Sequence, residues 1–360
     1  MNILDRYVLK EFMKMFCLIV ISLICLYLIV DFFERIRMFL SNHASLGQIL
    51  SYFSFTVPTI LSQMIPVGIL LSALLTFGML SKHSEITAMK ANGVSLYRIA
   101  LPVIICSLVI AGLSFLLSEF VTPYTNQKAK HIKLIEVQKR EKLGSFKNNQ
   151  IWYRGQAGIY NFSMFDPETG TLRGIRISYL DRDMNLTMRI DARKAQWKDG
   201  EWTFHDLLIT TFPKDEFPYL TFRESSIIDL PEEPADFMIV QKDADEMGYW
   251  DLKRFIHKIQ AEGYDATRYL ADMQGKIAFP FVCVILSVLG LSFSLLRQER
   301  RGGVAQSIGA GIVIGFSYWI VFAFALSLGR SGTMPPLLAA WTANILFGMA
   351  AFVLLLRIKT

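Results

Sequence analysis

Histidine and cysteine build most metal centres and many nucleophilic sites, and here neither falls into a usable pattern. His43, His83, His131, His205 and His257 are scattered, with no H-E-x-x-H pair and no Cys-His spacing that suits a metal. Surface or helix-capping roles fit them better. Cys17, Cys25, Cys106 and Cys283 all lie inside apolar runs, where a thiol packs as a small hydrophobe. No G-x-S-x-G turn offers a hydrolase nucleophile, and no G-x-x-x-x-G-K-[ST] loop is present to cradle a nucleotide's phosphates. Catalytic and metal-ligating residues are therefore not expected, and nucleotide hydrolysis serving this chain must occur on another one.

The remaining chemistry is electrostatic and mechanical. Between two long apolar runs lies the polar stretch Lys82-His83-Ser84-Glu85-Ile86-Thr87-Ala88-Met89-Lys90-Ala91-Asn92-Gly93. Ser84 suits an N-cap, Glu85 the positive end of a helix dipole, and Gly93 a C′ stop, so a helix of two to three turns is expected. Such a helix is a solvated connector or a rigid docking element that receives force from a partner; Ile86 and Met89, apolar on a loop that faces water, favour docking. A second constellation, Asp31, Glu34, Arg35 and Arg37, crowds the end of the first apolar run. These charges either neutralise one another at a membrane interface or present Arg35 and Arg37 to an anionic headgroup. Phe316, Tyr318, Trp319 and Phe322 form an aromatic group beside Gly311-x-x-x-Gly315, which either lines a lipid cavity or packs against neighbouring helices.

The elements that must position these groups follow from composition. Hydrophobic residues make up 52% of the 360-residue chain and charged ones only 19%, which excludes an ordinary soluble enzyme. A bilayer core about 30 Å thick needs about 20 apolar residues per helical crossing, and six segments meet this. They are Met15–Val30 with its aromatic flanks, Thr56–Leu80, Ile99–Ser118, Ile277–Leu296, Gly302–Gly329 and Ser331–Leu356. Leu46–Phe55 is read as a lead-in lying along the interface. Lys and Arg fall mainly at one set of ends (Arg6, Lys10, Lys14, Lys82, Lys90, Arg98, Arg297, Arg300, Arg301, Arg357, Lys359), against Arg35, Arg37 and Arg330 at the other, with Lys276 at the mouth of the fourth span. By the positive-inside rule both termini are cytoplasmic and the long insert is exported.

That insert, Tyr124–Asp272, holds 22 basic and 24 acidic residues, so it lacks the basic face that nucleic acid requires. It has no cysteine and must rest on its own core. Strand signals recur at Ile151–Arg154, Ile159–Phe165, Leu172–Leu180 (alternating in period two) and Leu186–Trp197, with turns at Asp166-Pro167-Glu168-Thr169-Gly170 and Asp199-Gly200. With no helical crossover between them, the sheet should be antiparallel and curled or sandwiched. After Pro213, Pro218, Pro231 and Pro234 the pattern turns helical: Tyr249–Ala261, closed by Gly263, then a helix capped by Asp265 that runs into the fourth span.

In this order and spacing several strings resemble the LptF/LptG permease family of the lipopolysaccharide export ABC transporter. They are Leu4-Asp5-Arg6-Tyr7, the S-E-x-x-x-M-x-x-x-G pattern of Ser84, Glu85, Met89 and Gly93, Glu119-Phe120-Val121-x-Pro123, Lys276-Ile277 with Pro280, and Gly332-x-x-Pro335-Pro336. The opening string and the proline pair are nearer the LptG branch than its sister LptF. The resemblance implies an α-helical membrane protein with six transmembrane helices and an inserted all-β, jellyroll-like periplasmic domain. Residues 1–123 would carry spans one to three with a coupling helix at 84–93, residues 124–246 the β domain, 247–274 connecting helices, and 275–360 spans four to six. It further implies a bacterial inner-membrane half-transporter that binds no cofactor itself. Its partners would be an LptF-like permease, an LptB-like ATPase dimer that consumes ATP, LptC, LptA, lipopolysaccharide and membrane lipid, with no nucleic acid. Ser84, Glu85, Met89 and Gly93 would couple to the ATPase, and Arg35, Arg37, Phe316, Tyr318, Trp319 and Phe322 would meet lipid. This chain departs from the LptG pattern in carrying Asp31, then Arg35 and Arg37, where a lysine is expected near the end of span one. The rival from another class is a membrane scaffold that recruits partners through its β domain.

Overall fold

The computed structural model describes residues 3–139, 144–147, 150–154, 158–166, 169–181, 185–198, 200–213, 217–230, 232–234, 237, 243–261, 265–296 and 304–357. Pro167, Glu168, Asp199, Pro231, Gly263, Arg297, Arg300, Arg301, Gly302 and Lys359, each assigned a place above, lie outside the described residues. By contacts the chain divides into two units: 1–132 with 244–252 and 267–360, and 133–243 with 253–266.

The first unit is a helical bundle. Its helices are α1 (Ile3–Ser41), α2 (Leu46–Lys82), the short α3 (Glu85–Ala91), α4 (Leu96–Leu116) and α5 (Thr122–His131). The Leu117–Val121 stretch joins α4 to α5 in π geometry, so they form one continuous run. After the insert come α6 (Tyr249–Ala261), α7 (Thr267–Leu296), α8 (Val304–Arg330) and α9 (Pro336–Leu356). Six of these runs are long and apolar enough to cross a membrane.

Leu46–Phe55 is not a separate interfacial lead-in. It is the first part of α2, which runs unbroken for 37 residues. The reason is local: Ser45 Oγ accepts from the Gln48 amide at 3.3 Å while Gln48 Oε1 accepts from the Ser45 amide at 2.9 Å, a capping box that starts the helix ten residues earlier than hydropathy suggests. α1 ends in a Schellman turn with His43 at φ 52°: the His43 amide bonds to Leu40 O and the Ala44 amide to Phe39 O. This histidine terminates a helix, consistent with the capping role read for it.

The six runs are unequally enclosed. Within their most apolar stretches, 67% of α2 and 61% of α7 is buried, against 17% of α1 and 22% of α8. α2 and α7 meet along small residues: a Cβ on Gly290 would stand 2.9 Å from Leu70 O and 3.1 Å from Ala73 Cβ. α8 uses Gly311 and Gly315 in the same way, against Leu70, Leu71 and Leu74 of α2.

Among the described residues of the second unit seven strands form one sheet in sequential order, every neighbour antiparallel: β1 (Gly144–Lys147), β2 (Gln150–Arg154), β3 (Gly158–Asp166), β4 (Thr171–Leu180), β5 (Leu186–Lys198), β6 (Glu201–Thr211) and β7 (Tyr219–Ile228). The expected all-β insert is thus an up-and-down meander. Trp197 pairs with Trp202 and Lys198 with Glu201, so β5 and β6 form a hairpin, with Gly200 at φ 90°.

One feature departs from simple alternation. Ladder pairing lapses at Ser163, Gly174, Arg193, Asp206 and Glu224, which face one another across five strands, although the register is the same on either side. Gly174 and Asp206 there hold φ of 60° and 54°. The inward set changes parity at this crease: Phe162 then Phe165, Leu172 then Ile175, Ala192 then Ala195, Phe204 then Leu207. The period-two reading of Leu172–Leu180 therefore fails at Gly174, where the strand bends and the inner face passes to the next residue. Leu230 and Phe237 join this core, and the Phe237 ring lies 5.1–6.2 Å from those of Tyr153, Phe162, Phe165 and Trp202.

Candidate functional site

At the bundle end where α1 begins and α9 finishes, α3 connects α2 to α4. Its stop is the one expected: Gly93 has φ 79°, its amide bonds to Lys90 O at 2.9 Å, and the Val94 amide bonds to Met89 O at 3.1 Å. Its start differs. Ser84 occupies the N-cap position in left-handed geometry (φ 59°) and its side chain makes no capping bond. The tight reversal after Lys82 turns the hydroxyl away from the amides it was expected to receive. Ile86 is fully buried and Met89 packs on the bundle core, so the two apolar residues root α3 in its own chain. The face left open carries Thr87, Ala88, Lys90 and Ala91. Glu85, at the edge, accepts a 2.8 Å hydrogen bond from the Tyr7 hydroxyl of α1, which ties the Leu4-Asp5-Arg6-Tyr7 string to the coupling pattern.

The charges near the far end of α1 resolve partly toward mutual neutralisation. Arg35 Nε donates to Asp31 Oδ1 at 2.7 Å, and the guanidinium lies 5.8 Å from the Tyr52 ring centroid. Arg37 is exposed. The α8 aromatics do not act as one group. Phe316 and Trp319 are on the open face, whereas Tyr318 is 2% exposed and donates to Asn344 Oδ1 at 2.8 Å. Asn344 Nδ2 in turn donates to Ala278 O, so Tyr318 fastens α8, α9 and α7 together. Phe322 stacks on Tyr318 at 6.0 Å and also meets Phe279. The helical period decides this division: residues 311, 315, 318, 325 and 329 share the buried face.

The bundle end at which the insert leaves and returns holds features that spacing alone did not reveal. Glu119 accepts from the Tyr249 and Trp250 amides, the latter at 3.3 Å, and so caps α6 from a distant helix. Gly248 permits this, since a Cβ there would stand 2.7 Å from Glu119 Oε1. The sequence signal was the glycine directly before the helical pattern. Gln127 donates to Glu246 O at 2.7 Å, Asn126 to Asp245 O at 3.1 Å, and Lys130 pairs with Glu246 at 2.7 Å.

Beside these ties opens a cavity of about 360 Å³. Its apolar wall is Phe279, Pro280, Trp319, Phe322, Ala323 and Leu326, and its polar wall includes Thr59, Ser62, Gln63, Ser114, Ser118 and Asn126. Asp245, Asp272, Lys276 and Arg330 supply charge. Asp272 is taken by Arg330, whose Nε and Nη2 approach Oδ1 at 2.7 and 2.6 Å. Of the predicted lipid residues, Trp319 and Phe322 reach this cavity, while Arg35, Arg37, Phe316 and Tyr318 do not line it. No cluster of His, Cys, Asp and Glu able to hold a metal occurs among the described residues.

Comparison with known proteins agrees with this architecture. The family model described as lipopolysaccharide export system permease LptF/LptG matches residues 6–357. The lipopolysaccharide export system permease protein LptG of Haemophilus influenzae is 25% identical over 362 residues, covering 99% of each chain. That of Escherichia coli K12 is 24% identical over 365 residues, covering 99% of this chain and 98% of the relative. A match that spans all six membrane helices and the β insert means that this chain is a multi-pass member of the LptF/LptG family, the permease component of the lipopolysaccharide export system.

Proposed function

We propose that the chain is the LptG-type half of the exporter, paired in the inner membrane with an LptF-type half and seated on an LptB dimer. Both termini and α3 face the cytoplasm, as the Lys and Arg distribution requires, and the β insert stands in the periplasm. LptB hydrolyses ATP, and its closure pushes on α3. Because Ile86 and Met89 root α3 in the bundle and Glu85 is bonded to Tyr7 of α1, a displacement there is passed to α1 as a rigid-body movement. The open faces of α1 and α8 meet the LptF half, and lipopolysaccharide held between them is expelled when the halves approach. Work is needed because each buried CH₂ is worth about 0.8 kcal/mol, so a molecule with several acyl chains does not leave the bilayer unaided. The sheet then passes the lipid toward LptC and LptA, by adding its edge strand to a partner's.

The observation that carries this reading is the pair α1 and α8, whose most apolar stretches are the least enclosed by their own chain, at 17% and 22%. The test reconstitutes the chain in liposomes with LptF and LptB and measures ATP-dependent release of lipopolysaccharide. Glu85→Ala is expected to reduce release at least tenfold without loss of assembly; unchanged release removes Glu85 from the coupling route. Co-purification with LptF separates this half from its sister. A chain that binds LptC and LptA yet supports no ATP-dependent release would be the scaffold instead.

A further inference from the structure

The cavity beside α7 carries a cation, Lys276, in its lining. Lys276 lies one turn beyond Asp272 on the same helix, the spacing at which the two would pair. Asp272 is engaged by Arg330 instead, and no hydrogen-bond or ion-pair partner reaches the Lys276 ammonium among the described residues. The other carboxylates acting on it are Asp245 and Glu119. Glu119 is bound to the α6 amides, and Asp245 is exposed at the rim. Lys276 is thus left with its three donors directed at no protein acceptor, on a helix that crosses the apolar layer, where an unsolvated charge is costly.

The walls indicate what satisfies it. Gln63 and Ser118 also line the cavity and have no hydrogen-bond partner among the described residues, so the polar side offers donors to an acceptor-rich group. The opposite side, with Phe279, Trp319 and Phe322, suits hydrocarbon. A volume of about 360 Å³ is at the low end for ligand pockets, enough for a headgroup and the start of its chains but not for several acyl chains. We infer that this cavity is a binding site for the phosphate group of an amphiphile, with Lys276 as its cation, Gln63 and Ser118 as additional donors, and the chains leaving across the Trp319 and Phe322 side. The inference draws on the lipid-exporting role only for the choice of ligand; the binding itself concerns this chain alone.

The experiment measures binding by calorimetry to the full-length chain in uncharged detergent, using dioctanoyl phosphatidic acid, dioctanoylglycerol and inorganic phosphate as probes. Phosphatidic acid is expected to bind at least tenfold more tightly than dioctanoylglycerol, and Lys276→Met to lose at least tenfold of that affinity while Lys276→Arg keeps most of it. Inorganic phosphate binding as well as phosphatidic acid, and equally dependent on Lys276, would keep the anion site and identify its occupant as free phosphate. Equal binding of dioctanoylglycerol, or full affinity in Lys276→Met, would overturn the proposal. Should Lys276→Met fail to fold, Gln63→Leu with Ser118→Ala provides the same reading: unchanged affinity in that pair overturns the site as drawn. Lipid release in the LptF and LptB liposomes is a separate measurement, so an exporter without this site and a site on a chain that exports nothing give different results.

Discussion

α2 and α7 differ from α1 and α8 in what surrounds them far more than in composition. The most apolar stretches of α2 and α8 have the same mean hydropathy, 2.0, yet 67% of one and 22% of the other is enclosed by the chain. In a membrane, lipid tails solvate Leu as well as a neighbouring helix does, so hydropathy records only that a segment spans. Which segments form the interior depends on where small residues let backbones approach. Gly290 meets Leu70 and Ala73, and Gly311 accepts Leu71, so α2 is enclosed from two sides. α1 presents Leu18, Ile21, Leu26, Ile29 and Val30 outward, and α8 presents Ile312, Val313, Phe316 and Ile320. The bundle thus has an enclosed inner pair, with α1 and α8 the least enclosed of its spans.

Substitutions that add bulk should expose this contrast most strongly. Gly290→Leu forces α7 off α2 and is expected to cost about 3 kcal/mol or more, read as loss of the folded monodisperse species in detergent. Gly309→Leu, with nothing within 4 Å of its Cβ, should leave the thermal melt unchanged. If both are tolerated, the inner pair is not tightly packed. Truncations come next. Leu74→Ala, at a fully buried α2 position, should destabilise by about 2 kcal/mol or more through the cavity it leaves, whereas Ile312→Ala on the open face of α8 should stay within about 0.5 kcal/mol. Equal losses would mean that α8 is enclosed. The smallest effect sharpens the division within α8. Tyr318→Phe removes the hydrogen bond to Asn344 and should cost about 0.6 kcal/mol, detectable in a chemical-denaturation midpoint, while Phe316→Tyr should cost nothing. A null result at Tyr318 would make that bond dispensable.

Much of this molecule was legible in its residues. Six crossings, an antiparallel insert, the β5–β6 hairpin and the Gly93 stop each follow from a local rule: run length, alternation, a turn signal between strands, a left-handed glycine. The readings that failed needed knowledge of what lay alongside. Ser84 has the right residue type for a cap, but the reversal into α3 fixes its backbone in a left-handed conformation. Ile86 and Met89, read as apolar residues on a loop facing water, turn onto the bundle core. The four α8 aromatics divide because 3.6 residues per turn places Tyr318 and Phe316 on different faces.

Consecutive residues alone reveal six membrane-spanning segments and a cysteine-free β insert between the third and fourth, because hydropathy and alternation are properties of neighbours in the chain. The folded bundle decides which spans are enclosed, that Asp272 takes Arg330 rather than Lys276 one turn away, and that Glu119 caps a helix 130 positions later. Those outcomes rest on competition between groups far apart in the chain, and the winner is set by distance in the folded bundle, which no local pattern encodes.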